Sequence, residues 1–122
     1  MSAAAKTILI VDDDPDIVLV LTAMLEDAGY AAIATDTADD LMDMLKRNRP
    51  DLIVLDMLLS GHDGREIVTQ IKAHPDTGHI PVLMLSAHPA AERDSRSAGA
   101  DDFLAKPFEM DMLLAKVAKH LA

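Results

Sequence analysis

Four short apolar runs, each delivering a polar or charged group at its carboxyl end, constrain the fold of this chain more than any other feature. Ile8-Leu9-Ile10-Val11 ends in Asp12-Asp13-Asp14, Leu52-Ile53-Val54-Leu55 in Asp56, Val82-Leu83-Met84-Leu85 in Ser86, and Phe103-Leu104-Ala105 in Lys106. Runs without apolar/polar alternation suit strands buried on both faces, the condition of a parallel sheet. In an open parallel sheet the strand carboxyl ends share one edge, and the crevice outside that edge is where such folds place their chemistry. The pattern therefore predicts that residues distant in sequence meet at one site.

The gaps between the runs read as helices. Asp14 caps a first helix with Pro15 at its first position, Ile17, Val18, Leu21, Met24, Leu25 and Ala28 at helical spacing, and Gly29 as its stop. Thr37 is the expected cap of a second helix carrying Leu41, Met44 and Leu45 and closed by Asn48 and Pro50. A third is expected from about Arg65 to Ala73, ending before Pro75. In the last, Met110, Leu113, Leu114, Val117 and Leu121 share a face, while Lys116, Lys119 and His120 stand at the carboxyl end, where the helix dipole favours positive charge. Tyr30 to Thr35 is a weaker strand because its alanines are poor strand formers. Five strands alternating with about five helices predict βαβ units in an α/β fold. Pro89 to Ala98 holds no large apolar residue, so a helix there is expected to be short or mobile.

A length of 122 residues, with no Pro/Gly/Ser-rich divider, fits one domain over 1–122, with residues 1–5 a loose tail. A chain of that length is not expected to carry an attached DNA-binding or catalytic domain. The chain has no cysteine and hence no disulfide framework or thiolate metal site. No apolar stretch reaches the roughly 18 residues of a membrane span and no signal peptide opens the chain, which predicts a cytoplasmic protein without membrane insertion. Eleven Lys and Arg against twenty-one Asp and Glu give a net charge of −10, and two Phe, one Tyr and no Trp offer no stacking platform, so direct nucleic-acid binding is not expected.

At the expected sheet edge, Asp12, Asp13 and Asp56 bring three carboxylates against one ammonium, Lys106. Like charges about 4 Å apart repel by roughly 1 to 4 kcal/mol, depending on dielectric, so the cluster calls for a cation. Oxygen ligands without His or Cys suit a hard divalent ion, with Mg²⁺ the first choice and Mn²⁺ able to substitute. If the substrate is a phosphoryl group, Asp56 is the natural nucleophile, because an aspartyl carboxylate can form a covalent phosphoryl intermediate. Lys106 and Ser86 would then hold the equatorial oxygens. Singly, each residue has a plainer reading: Asp12 to Asp14 as a helix cap, Asp56 as a loop opener, Lys106 as a surface lysine, Ser86 as a turn hydroxyl. Their coincidence at four strand ends favours the functional reading.

The stretches ILIVDDD (8–14), DLIVLDMLLSGHDG (51–64), PVLMLSA (81–87) and GADDFLAKPF (99–108) together resemble the receiver domain of two-component response regulators, and the likeness covers nearly the whole chain. The resemblance implies a flavodoxin-like, doubly wound, five-stranded parallel sheet of order 2-1-3-4-5 with helices on both faces. It implies a metal bound by Asp12, Asp13, Asp56 and the backbone carbonyl of Leu58, a phosphoacceptor at Asp56, a switch hydroxyl at Ser86, a lysine at Lys106 and a switch aromatic at Phe103, which would turn inward. It further implies a phosphohistidine donor, either a sensor histidine kinase or a histidine phosphotransfer protein, a downstream protein target, and a monomer or weak dimer. The chain is then a signalling switch with self-catalysed phosphotransfer and dephosphorylation rather than a turnover enzyme.

Three departures from the family pattern stand out. Leu59-Ser60 replaces the usual Met-Pro, which frees the loop backbone. Ser86 replaces the commoner threonine and keeps the donor. The spacing from Ser86 to Lys106 is about two residues short. Leu58 and His88 flank the expected path of hydrolytic water, and an apolar Leu58 predicts slow dephosphorylation. Phe103 is equally a core residue, and the five histidines read as surface residues. Rival readings are a degenerate receiver used only for docking or dimerisation, an aspartyl phosphatase lacking the second Asp because Leu58 stands there, and a flavin module lacking its phosphate loop.

Overall fold

The computed structural model describes residues 5–59, 62–88 and 91–121. Strands β1 (Thr7–Val11), β2 (Ala31–Thr35), β3 (Leu52–Asp56), β4 (Val82–Ser86) and β5 (Asp102–Ala105) form one parallel sheet in the order 2-1-3-4-5. Helices α1 (Pro15–Asp27), α2 (Leu41–Asn48), α3 (Gly64–Ala73), α4 (Ala91–Ala98) and α5 (Met110–Leu121) connect them. A small antiparallel pair, Leu58–Leu59 with His62–Asp63, lies between β3 and α3. This is the expected flavodoxin-like arrangement. The tail residues 1–4, Ser60 of the Leu59-Ser60 departure, and Pro89 and Ala90 of the alanine-rich segment lie outside the described residues.

Successive strand residues point to opposite faces, and this explains why the central strands are apolar throughout. Leu9, Val11, Ile53, Leu55, Val82 and Met84 join a core with α2 and α3, while Ile8, Ile10, Leu52, Val54, Leu83 and Leu85 join a second core with α1 and α5. Each fully buried Leu or Ile contributes about 1.5 to 3 kcal/mol relative to exposure, so the two cores fix the sheet and with it the edge that carries the polar residues. At the sheet edge β2 is only half-buried, which is why its alanines suffice.

Local signals act as read at α1, where Asp14 Oδ1 accepts from Asp16 N at 2.9 Å and Gly29 follows the helix with a positive φ of 98°. Three expectations need correction. Thr37 does not cap α2: its hydroxyl accepts from Asp39 N at 3.1 Å in a local turn, and the helix starts at Leu41 behind Asp40. Met110 is half-exposed because it opens α5 before the helix settles on the sheet. The segment from Ala91 to Ala98 is the short helix expected, eight residues that bury only Ala91 and Ser95. The third concerns His120, which is no surface residue: with Lys116 it turns inward to the buried carboxylate of Asp102, Nε2 at 2.9 Å and Nζ at 2.9 Å, and Lys119 follows at 3.7 Å. The positive end of α5 therefore answers a specific carboxylate as well as the helix dipole.

Candidate functional site

Sheet register brings the expected residues to one edge. Val11 pairs with Thr35 and Leu55 stands opposite Val11, so Asp12 and Asp56 leave adjacent strands at the same level. Asp56 pairs with Leu85 and Ser86 with Ala105, which carries the hydroxyl of Ser86 and the lysine at 106 to the same edge. Backbone hydrogen bonds from Met57 N to Leu85 O at 2.8 Å and from Lys106 N to Ser86 O at 2.8 Å hold these ends in step.

The geometry is that of a charged cluster set into the fold. Carboxylate oxygens of Asp12, Asp13 and Asp56 all lie within 4.8 Å of one another. Lys106 Nζ donates to Asp56 Oδ1 at 3.3 Å and stands 3.5 Å from Asp12 Oδ2. Asp12 is 1% exposed; its Oδ1 accepts from Asp14 N at 2.9 Å, while its Oδ2 takes no hydrogen bond among the described residues. Burial pushes the Asp56 carboxyl above its ordinary value, with the Lys106 ammonium pulling it down and the Asp12 carboxylate pushing it up.

A buried carboxylate oxygen without a hydrogen-bond donor, beside two further carboxylates, makes a strongly acidic pocket that the one ammonium of Lys106 compensates only in part. An all-oxygen donor set of this kind fits a hard divalent cation such as Mg²⁺.

The loop beyond Asp56 is built by features that sequence reasoning passed over. Gly64 opens α3 directly beneath the site strand, where a Cβ would stand 2.7 Å from Met57 Cα and 2.9 Å from Asp56 O. Only glycine allows that approach, and Gly64 N donates to Met57 O at 2.6 Å. Asp63 caps α3 through Arg65 N at 2.9 Å and takes the Arg65 guanidinium at 2.6 Å, and the Arg65 hydrogen bond holds its carboxyl below the ordinary value. The Asp-Gly pair before a helical pattern was the available signal for both.

Leu58 is 63% exposed, and with His88 it lines a cleft of about 410 Å³ beside the site loop. Ser86 is buried and its Oγ accepts from His88 N at 3.1 Å. Phe103 is buried, pairs with Met84 in the sheet and belongs to the same core as Ala91.

Comparison with known proteins follows the same lines. The family model described as response regulator receiver domain matches residues 8–118. The nitrogen assimilation regulatory protein NtrX of Azorhizobium caulinodans is 42% identical over 122 residues, a match covering 96% of this chain and 26% of that protein. The chain spans between about a quarter and a half of the length of the curated relatives it matches. Among solved structures, the signal receiver domain of a signal transduction histidine kinase from Syntrophus aciditrophicus superposes with a TM-score of 0.88 at 34% identity, covering 96% of this chain and 90% of that one. The receiver domain of sensor histidine kinase PA1611 from Pseudomonas aeruginosa, solved with a magnesium ion coordinated in its active site cleft, gives a TM-score of 0.87 at 28% identity, covering 97% and 98% of the two chains. No helix among the described residues is long and apolar enough to cross a membrane.

Proposed function

Because the chain belongs to the family of response regulator receiver domains, we propose that it accepts a phosphoryl group on Asp56 from a phosphohistidine donor and thereby switches a surface read by a partner protein. The observation that carries this reading is the meeting of Asp12, Asp13, Asp56 and Lys106 within hydrogen-bonding or ion-pairing range at the carboxyl edge of a parallel sheet. The same unit recurs inside longer relatives, so the reading covers what these residues do. It places the chain in the cytoplasm as a single receiver over 1–122, monomeric or weakly dimeric, with a sensor histidine kinase or a histidine phosphotransfer protein as donor.

In this reading a carboxylate oxygen of Asp56 attacks phosphorus, the P–N bond to the donor imidazole breaks, and its electron pair stays on the departing nitrogen. Lys106, already bonded to Asp56 Oδ1, neutralises charge that develops on the phosphoryl oxygens. Ser86 gives up its local turn and donates its hydroxyl to one of those oxygens. The residues that would hold Mg²⁺ (or Mn²⁺) are Asp12, Asp13, Asp56 and the Leu58 carbonyl, and the ion supplies charge neutralisation and alignment when bound. Phe103, adjacent to β4 in the sheet, carries the Ser86 displacement to the outer face of β5 by a shift within the core rather than by a swing. Water then hydrolyses the acyl phosphate, slowly, because Leu58 offers it no hydrogen bond.

The intact set of acids, lysine and hydroxyl weighs against a docking-only receiver. Backbone amide spectra recorded with and without beryllofluoride and Mg²⁺ test this. Shifts concentrated around Asp56, Ser86 and Phe103 support the switch, and an unchanged spectrum would leave the docking role.

A further inference from the structure

We propose that helix α4 is held to the body by an ionic latch rather than by apolar burial, so that screening or removing a few charges releases it without withdrawing any large side chain of its own from the core. The inference concerns the resting fold and does not depend on phosphoryl transfer.

Apolar anchoring of α4 is small. The helix buries Ala91 and Ser95, with Ala98 only partly covered. The Ser95 side chain is fully buried, yet its Oγ has no hydrogen-bond partner among the described residues, so the one polar contact this helix drives into the core opposes docking. By comparison, α5 buries Leu113 and Val117 and α3 buries Ile67, Val68 and Ile71.

Charge and polar ties compensate from both ends. At the amino half, Arg65 spans from Asp63 in the site loop to Asp94 on α4, with Nη1 to Asp94 Oδ2 at 3.4 Å. At the carboxyl half, Arg96 reaches the buried Asp102 at 3.2 Å and the backbone oxygen of Asp101 at 3.4 Å, while Thr69 Oγ1, whose single hydrogen also has Arg65 O at 2.8 Å, lies 3.2 Å from Ala98 O. Arg96 also pairs with Glu92 at 3.0 Å within its own helix. Most of these side chains are close to half-exposed, and exposed pairs are the ones salt screens.

The position of the latch gives it consequence. Leu58, His88, Ala91 and Asp94 wall the cleft beside the site loop, and Arg65 straps one side of it to the other. Releasing α4 therefore opens this cleft. The strap and the Arg96 to Asp102 tie are two ends of one device.

Hydrogen exchange read by mass spectrometry on the full chain, at low salt and at about 1 M NaCl, tests the proposal. We expect amides of 91–98 to exchange about tenfold faster at high salt, with β1 and β3 little changed. Arg96→Gln should accelerate exchange at low salt and remove part of the salt response, the rest belonging to the Arg65 to Asp94 strap. Ser95→Ala removes the unpaired hydroxyl and should slow exchange of α4 roughly threefold or more. Salt-independent protection of α4, acceleration shared equally by β1 and β3, or faster exchange in Ser95→Ala would each overturn the latch.

Discussion

Lys106 Nζ hydrogen-bonds Asp56 Oδ1 at 3.3 Å, joining the end of β3 to the residue that follows β5 across the intervening strand β4. The contact sets one ammonium against a cluster of three acids, of which Asp12 is already buried to 1% exposure. One ammonium compensates three carboxylates only in part, so the cluster stands at the expense of stability. Its balance is open to measurement.

Asp56→Asn is expected to stabilise the metal-free protein by about 1 kcal/mol at pH 7, because one fewer buried carboxylate then repels Asp12. The Asp56 carboxyl is raised by burial, so its protonated form favours the folded state; that advantage is complete below the unfolded carboxylate range near pH 4 and is lost as pH rises through the folded value. Urea midpoints in EDTA should therefore favour the variant at pH 7 and converge with wild type as pH falls below about 4. A variant less stable than wild type at pH 7 contradicts this.

Asp102 leads to the opposite pH dependence. Burial pushes its carboxyl up, but hydrogen bonds from Lys116 and His120 and from Phe103 N outweigh burial and hold it far below the usual range. A depressed value contributes stability above the unfolded value and loses it as pH falls. Asp102→Asn should cost about 3 kcal/mol at pH 7, since it strands the cations of α4 and α5, and the difference from wild type should shrink steadily below about pH 4. Equal chemical-denaturation curves at pH 7 would remove Asp102 from its central place.

Gly64→Ala tests the close approach of α3 to the site strand. A methyl group 2.7 Å from Met57 Cα forces the backbone beneath Asp56 to move, so the variant should lose about 1 to 3 kcal/mol and also phosphorylate more slowly. Stability unchanged by thermal melting would show that the loop yields freely.

Much of this was legible in the chain. The runs at Ile8, Leu52, Val82 and Phe103 gave strand positions, and their polar termini gave the acids, the hydroxyl and the lysine of the site. What escaped reading depended on tertiary geometry. Thr37 looked like a cap, yet its hydroxyl is engaged in a nearer turn. Lys116, Lys119 and His120 fit a helix dipole, and only the fold shows that they converge on Asp102, more than a dozen residues earlier. Spacing along α4 carried no anchoring signal because its ties are to Asp63 by way of Arg65 and to Asp102, which no local periodicity records.

Leu58→Asn should accelerate loss of the phosphoryl group by roughly three- to tenfold, if a hydrogen-bonding side chain in the exposed place of Leu58 helps to position water. Following the decay of phosphorylated protein after removal of the donor measures it. An unchanged rate would separate slow reset from the apolar character of Leu58.

The central claim is that Asp56 is a phosphorus-accepting carboxylate. Intact-mass measurement after incubation with acetyl phosphate and Mg²⁺ tests it most directly: one added phosphoryl group is predicted for the native chain and none for Asp56→Asn. No adduct on the native chain, or an adduct that persists in Asp56→Asn, would contradict the account.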